Sequence, residues 1–118
     1  MKKVFPLLLI IMFAFVGCQR GPATYEMAES PQGVITHAKE FVGRISKQAK
    51  NYNAEDWEIA ISQFVQMGKN YCELKPSFTE EQQMQYDNVR MEFIYAVDTY
   101  GEEDMALRVK EEYSAIFE

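Results

Sequence analysis

Residues 76–101, PSFTEEQQMQYDNVRMEFIYAVDTYG, decide what kind of fold the chain adopts. Pro76 ends the helix before it, because the residue that precedes a proline avoids helical geometry. Thr79-Glu80-Glu81-Gln82 then has the capping-box pattern that starts a new helix. Apolar side chains recur on one face of this helix at helical spacing: Tyr86, Val89, Phe93, Ala96, Val97 and Tyr100. The segment therefore predicts an amphipathic third helix in an all-α fold.

A second set of apolar residues lies on the opposite side of the same helix. Met84, Met91 and Tyr95 fall off the main apolar face when about 100° is assigned to each residue. Two interpretations stay open. Either another helix covers these residues and they belong to the core, or they form a surface that accepts a partner helix. We select Met84, Met91 and Tyr95 as the candidate partner-binding residues.

Two amphipathic helices are predicted before this segment. The first starts at Ser30-Pro31, a capping hydroxyl followed by proline at the first helical position. The second starts at Asn53, with Glu55 and Asp56 in the first turn, where negative charge is favourable. Their apolar stripes are Val34, Ala38, Phe41, Val42, Ile45, Ala49 and Tyr52 in the first, and Trp57, Ala60, Ile61, Phe64, Met67, Gly68, Tyr71 and Cys72 in the second.

Gly101 raises the question of how the chain ends. If the third helix continued past Gly101, the later apolar residues would lie opposite the Phe93 face: Ala106, Val109, Tyr113 and Ile116. Two interpretations are open. Either one kinked helix packs against different partners in its two halves, or the chain turns at Gly101. A continuous helix from 79 to 117 would be about 60 Å long. We therefore favour a break and a short terminal helix, 102–117. The prediction is an antiparallel three- or four-helix bundle over residues 31–118, with no strand.

The first 17 residues have the layout of a secretory signal peptide. Lys2 and Lys3 precede an apolar run, residues 7–16, that is well short of the roughly 20 residues a membrane-spanning helix needs. Phe15-Val16-Gly17-Cys18 resembles the lipobox of bacterial lipoproteins, although the family usually has Leu where Phe15 stands. The resemblance implies cleavage before Cys18 and lipid, palmitate included, on its thiol. The alternative is an ordinary cleaved signal with a chance cysteine.

Residues 18–30 are predicted to be a flexible tether, because they contain Gly, Pro and small polar residues without an apolar period. In lipoproteins of the Bacteroidetes type, an acidic run after the lipidated cysteine is associated with export to the cell surface. Gln19-Arg20-Gly21 follows Cys18 instead. This favours a lipid anchor in the bacterial outer membrane, facing the periplasm.

The region from Asn53 to Tyr95 is similar to small helical lipoproteins of Bacteroidetes that carry a domain of unknown function. Ala54-Glu55-Asp56-Trp57 and Ser77-Phe78-Thr79-Glu80-Glu81-Gln82 carry the resemblance, together with Phe64 and Tyr71. It implies a helical fold and an envelope location. The family brings no established activity.

Composition and motifs exclude several classes of function. Without Lys2 and Lys3 the chain has ten Lys and Arg against 18 Asp and Glu, a net charge near −8, so nucleic acid is not an expected partner. One histidine, His37, has no companion catalytic or metal-binding motif. Cys72 is expected to be a buried apolar residue. We predict no enzymatic activity and no cofactor.

Two functions remain open. The first is a non-catalytic protein-interaction module that is anchored in the membrane through Cys18 and binds an unknown envelope protein. The alternative is a lipoprotein that binds a small molecule or glycan between its helices.

Overall fold

The computed structural model describes residues 22–102 and 104–116, which form four helices. The helices are α1 (Pro31–Gln48), α2 (Ala54–Leu74), α3 (Glu80–Tyr100) and α4 (Met105–Ala115). Short 3-10 turns follow α1 at Ala49–Asn51 and α2 at Lys75–Ser77. No strand occurs in the described ranges. The prediction of an all-α bundle of three or four helices is confirmed, and the number of helices is four.

Side-chain caps start the first three helices where the sequence predicts them. Ser30 Oγ accepts a hydrogen bond from the Gly33 amide at 3.0 Å. At α2, Asp56 N–H donates to Asn53 Oδ1 at 2.8 Å and Asn53 N–H donates to the Asp56 carboxylate at 3.1 Å. Thr79 forms the same reciprocal capping box at the start of α3. Each cap satisfies backbone N–H groups that have no partner inside the helix, so helix boundaries are fixed locally.

The predicted break at Gly101 is confirmed, but its cause is steric. Gly101 is extended (φ −82°, ψ 172°), and its N–H donates to the Val97 carbonyl at 2.7 Å. A Cβ at this position would lie 2.6 Å from that carbonyl oxygen. Glycine is therefore needed because the turn brings backbone close to backbone. The next helix, α4, starts at Met105, three residues later than the sequence predicts, and ends at Ala115.

Stacked aromatic rings connect the elements of the core. Phe93 of α3 lies between Phe41 of α1 and Phe64 of α2, with ring centroids 6.0 Å and 4.1 Å away. Phe64 in turn stacks on Tyr113 of α4 at 4.7 Å. In a second stack, Tyr71 of α2 packs against Tyr86 of α3, with ring centroids 4.0 Å apart. Because these rings come from α1, α2, α3 and α4, all four helices share one core. Each stacked pair adds about 0.5–1.5 kcal/mol to the stabilisation that its buried area provides.

Helix α4 docks through Tyr113. The hydroxyl groups of Tyr113 and Tyr86 are hydrogen-bonded at 2.5 Å in the interior. Burial raises the pKa of both phenols well above the ordinary range. The Tyr113 ring packs against Gly68 of α2, where the absence of a side chain leaves room for it. A Cβ at position 68 would lie 2.6 Å from Tyr113 Cε1. Arg108 adds a two-point ion pair to Glu58 on the surface, at 2.5 and 2.6 Å.

The N-terminal segment before α1 corrects the tether prediction. We call residues 22–30 the N-terminal arm. Ala23 and Tyr25 are buried in the common core, so this part of the segment is not a free linker. The arm is held by the buried Asn70 of α2, whose amide bonds to Tyr25 and to both backbone polar groups of Ala28. The sequence suggested a tether because the arm lacks an apolar period, but two isolated apolar residues and the hydrogen bonds to Asn70 dock it on the bundle.

Two other burial predictions are wrong in detail. Tyr100, expected on the core face of α3, is 49% exposed because it is the last residue of its helix. Cys72 is half-buried instead of buried. Tyr52, the last residue of the predicted α1 stripe, is half-buried after the 3-10 turn and packs edge-on against Trp57.

Candidate partner-binding surface

The three residues predicted to bind a partner all lie on the surface of α3. Met84 is 67% exposed, Met91 51% and Tyr95 71%. Because they are seven and four residues apart, they follow one face of the helix for about three turns, roughly 16 Å. We call this set the α3 outer face. The core interpretation of these residues does not fit their exposure.

The position of α4 explains why the α3 outer face is uncovered. Phe93 and Tyr86 point to the opposite side of α3, where they meet α2 and α4. Tyr113 holds α4 on the Phe64 and Gly68 side of the core. No described helix is left to cover the outer face, so its apolar side chains meet solvent.

Acidic side chains surround the α3 outer face. All five carboxylates of α3 are exposed: Glu80, Glu81, Asp87, Glu92 and Asp98. At about 100° per residue they fall on both sides of the apolar residues, with Asp87 and Asp98 on one flank and Glu81 and Glu92 on the other. The basic residue of α3, Arg90, lies on the α4 side, over the Tyr113 ring at 5.8 Å. The surface therefore carries three apolar side chains along its middle, with the polar Asn88 between Met84 and Met91, and negative charge along its edges.

The sequence interpretation missed this acidic rim. It considered Glu80 and Glu81 only as part of the segment that starts the helix, where negative charge is favourable, and this accounts for the first turn only. The available signal was the composition of 80–100, with five carboxylates and one arginine. Scattered exposed apolar residues elsewhere, at Met27, Ile59 and Leu107, do not follow one helix face in this way.

A second candidate site is a cleft of about 360 Å³ at the end of the bundle. The residues that line it come from α2, α3, α4 and the turn after α2: Tyr71, Lys75, Gln83, Asp87, Arg90, Tyr113 and Ser114. Arg90 is 3.5 Å from the Asp87 carboxylate in an ion pair. The cleft offers aromatic rings and charges of both signs. Its volume is at the small end of the range for ligand pockets.

His37 and the acidic residues at the start of α2 have structural roles. His37 Nδ1 donates to the Glu26 carbonyl at 2.8 Å, which ties α1 to the N-terminal arm. Asp56 belongs to the α2 capping box, and Glu58 pairs with Arg108, which lowers the pKa of that carboxylate. Within residues 22–102 and 104–116, no three His, Cys, Asp or Glu side chains are grouped to hold a metal ion.

Cys18, the predicted lipidation site, lies outside the described residues. None of the helices described is both long and apolar enough to cross a bilayer.

Comparison of the chain with protein-family models, with curated protein sequences and with solved structures finds no match. The fold and the surface therefore define the class: a small four-helix bundle with an exposed, acid-rimmed apolar face on its third helix.

Proposed function

We propose that this protein is a lipid-anchored component of the bacterial cell envelope that acts as a non-catalytic protein-interaction module. The α3 outer face is the binding surface. The observation that carries the proposal is the alignment of Met84, Met91 and Tyr95, each at least half exposed, along one helix face.

Energetic considerations support an interaction at this face. Burying a large apolar side chain stabilises a complex by about 1.5–3 kcal/mol, so these three residues offer several kcal/mol of binding free energy. Tyrosine is a frequent anchor in protein interfaces. Methionine is flexible and polarisable, and it adapts to irregular partner surfaces. The three side chains are therefore of the types that protein interfaces favour.

The N-terminal arm supports a close association with the membrane. Lipid on Cys18 would insert in the outer membrane from the periplasmic side and hold the domain there. The arm is docked from Ala23 on. Four residues lie between the two positions, and the five steps from Cys18 to Ala23 span at most about 18 Å, so the bundle would stay near the lipid surface.

A tagged full-length chain in its own envelope tests the proposal. Proteins chemically crosslinked to it are recovered and compared between Met91→Asp and Lys47→Asp. The control places a carboxylate on an exposed site of α1 and lowers the net charge by two units instead of one, so it is the stricter test of a general charge effect. We expect one dominant crosslinked protein that is lost with Met91→Asp and kept with Lys47→Asp. Equal recovery from both variants would refute binding through the α3 outer face. Circular dichroism verifies that both variants keep their helices.

The cleft at the end of the bundle favours a second candidate function, binding of a small molecule or glycan. Tyr71 and Tyr113 supply aromatic rings, and Arg90 supplies a cation beside them. Thermal unfolding in the presence of envelope glycans tests it, because a ligand that binds the folded state raises the melting temperature. A shift that disappears with Gln83→Ala would support the cleft. A shift that persists in that variant would place the ligand elsewhere.

A further inference from the structure

The rim of the α3 outer face restricts the chemistry of its partner. Asp87 and Asp98 on one flank and Glu81 and Glu92 on the other are all exposed. Asp87 is paired with Arg90 at 3.5 Å, so the charge of the rim comes mainly from Asp98 on one flank and from Glu81 and Glu92 on the other. A partner that covers Met91 and Tyr95 must bring its own edges close to these carboxylates. Acidic edges would be repelled, and uncharged edges would gain nothing from the rim.

We propose that the partner is a basic amphipathic helix, with apolar residues on one face and Lys or Arg on both sides of that face. This rests on the proposed function, since it names the partner class of the same surface. The apolar residues would contact Met84, Met91 and Tyr95, and the basic residues would pair with the acidic rim. About three turns of helix are needed to match the length of the surface.

Two other occupants fit the surface less well. Anionic lipid headgroups carry the same sign of charge as the rim, so the α3 outer face is turned away from such a membrane surface. A second copy of this chain has basic residues on α1, at Lys39, Arg44 and Lys47, but its exposed α1 side chains are polar and do not offer an apolar face. The surface thus selects a helix that is basic and apolar at once.

Photocrosslinking in isolated envelopes tests the proposal with the full-length chain. Tyr95 is replaced by the photoreactive residue p-benzoylphenylalanine, which keeps an aromatic ring at the site. As the positional control, a separate chain has the same photoreactive residue in place of Lys47. The rim variant is the chain with the photoreactive residue at position 95 and two further changes, Glu92→Lys and Asp98→Lys, one on each flank of the rim. The matched control reverses two exposed carboxylates on other helices, Glu73→Lys and Glu111→Lys, and has the same net charge.

We expect the rim variant to lose at least about fivefold in crosslink yield and the matched control to lose none. Raising the salt concentration from about 0.05 to 0.5 M should lower the crosslink yield of the chain whose rim is unchanged, because exposed charges are then screened. Mass spectrometry of the crosslinked peptide should give a segment with Lys or Arg flanking apolar residues at helical spacing.

The outcomes separate this inference from the proposed function. A crosslink at position 95 that both charge variants retain equally refutes the basic partner and leaves the interaction surface in place. A crosslinked peptide from a second copy of this chain, or a crosslink to lipid, also refutes it. Absence of any specific crosslink at position 95 removes the interaction module itself, and the inference with it.

Discussion

Replacing Asn70 with alanine should release the N-terminal arm from the bundle. Asn70 is 1% exposed and is the buried polar residue that connects α2 to the arm. Its Oδ1 accepts hydrogen bonds from the Tyr25 hydroxyl at 2.7 Å and the Ala28 amide at 2.8 Å. Its Nδ2 donates to the Ala28 carbonyl at 3.0 Å. The change Asn70→Ala removes all three.

The magnitude follows from the number of groups left without partners. A typical hydrogen bond contributes about 1 kcal/mol net, and a buried group that loses its partner costs about 1–3 kcal/mol. Water entering the site recovers part of this for Ala28. We therefore expect the free energy of opening the arm to fall by about 2–4 kcal/mol. Since about 1.4 kcal/mol is a factor of ten, the population of the detached arm should rise by at least about 30-fold.

Hydrogen exchange measured by mass spectrometry checks this value directly. Peptides that cover residues 22–28 should exchange at least about 30-fold faster in Asn70→Ala. Peptides from the middle of α3 should change much less, because Phe93 keeps its contacts with α1 and α2. The matched control is Asn88→Ala, which removes an exposed asparagine from α3 and should leave exchange in the arm unchanged. Unchanged protection of 22–28 in Asn70→Ala would refute the assignment of Asn70 as the residue that holds the arm.

Gly68→Ala should destabilise the domain by about 1–3 kcal/mol in urea unfolding, because the new Cβ meets Tyr113, whereas Gly43→Ala, with nothing within 4 Å, should stabilise it by about 0.5–1 kcal/mol. Equal effects would contradict the docking of α4 on Gly68. Stability should fall from about pH 10 upward, because burial raises the pKa of Tyr86 and keeps it protonated in the folded state while the unfolded chain deprotonates. Tyr86→Phe should flatten this alkaline decline, and an unchanged slope would exclude Tyr86 as its source. Cys18→Ser should abolish the incorporation of labelled palmitate into the protein, because the thiol that carries the lipid is gone, and incorporation that persists in this variant would rule out a lipid anchor on Cys18.

The starts of the first three helices were readable in the sequence because they depend on local chemistry. Ser30, Asn53 and Thr79 each cap a helix with an atom three residues or fewer from its partner. The same locality applies to the break at Gly101. The periodic apolar positions also predicted most of the core, since an amphipathic helix buries its apolar face whichever helices pack against it.

The candidate site was only half determined by the sequence. Periodicity placed Met84, Met91 and Tyr95 on a separate face of α3. It left open whether α4 would cover them, because the direction in which the chain leaves Gly101 depends on where Tyr113 finds a partner. That partner is the space above Gly68, between Phe64 and Tyr86, and these residues are far from Tyr113 in sequence.

The sequence by itself determined the helices, their order and the amphipathic face of each, because these follow from interactions within a few residues. Only the tertiary structure decided which faces meet. Asn70 binds the arm 42 residues away, and this contact turns a segment without periodicity into part of the core. Docking of α4 on one side of the bundle leaves the α3 outer face exposed on the other. Both outcomes depend on contacts distant in sequence, where shape and hydrogen-bond partners decide among packings that local patterns permit equally.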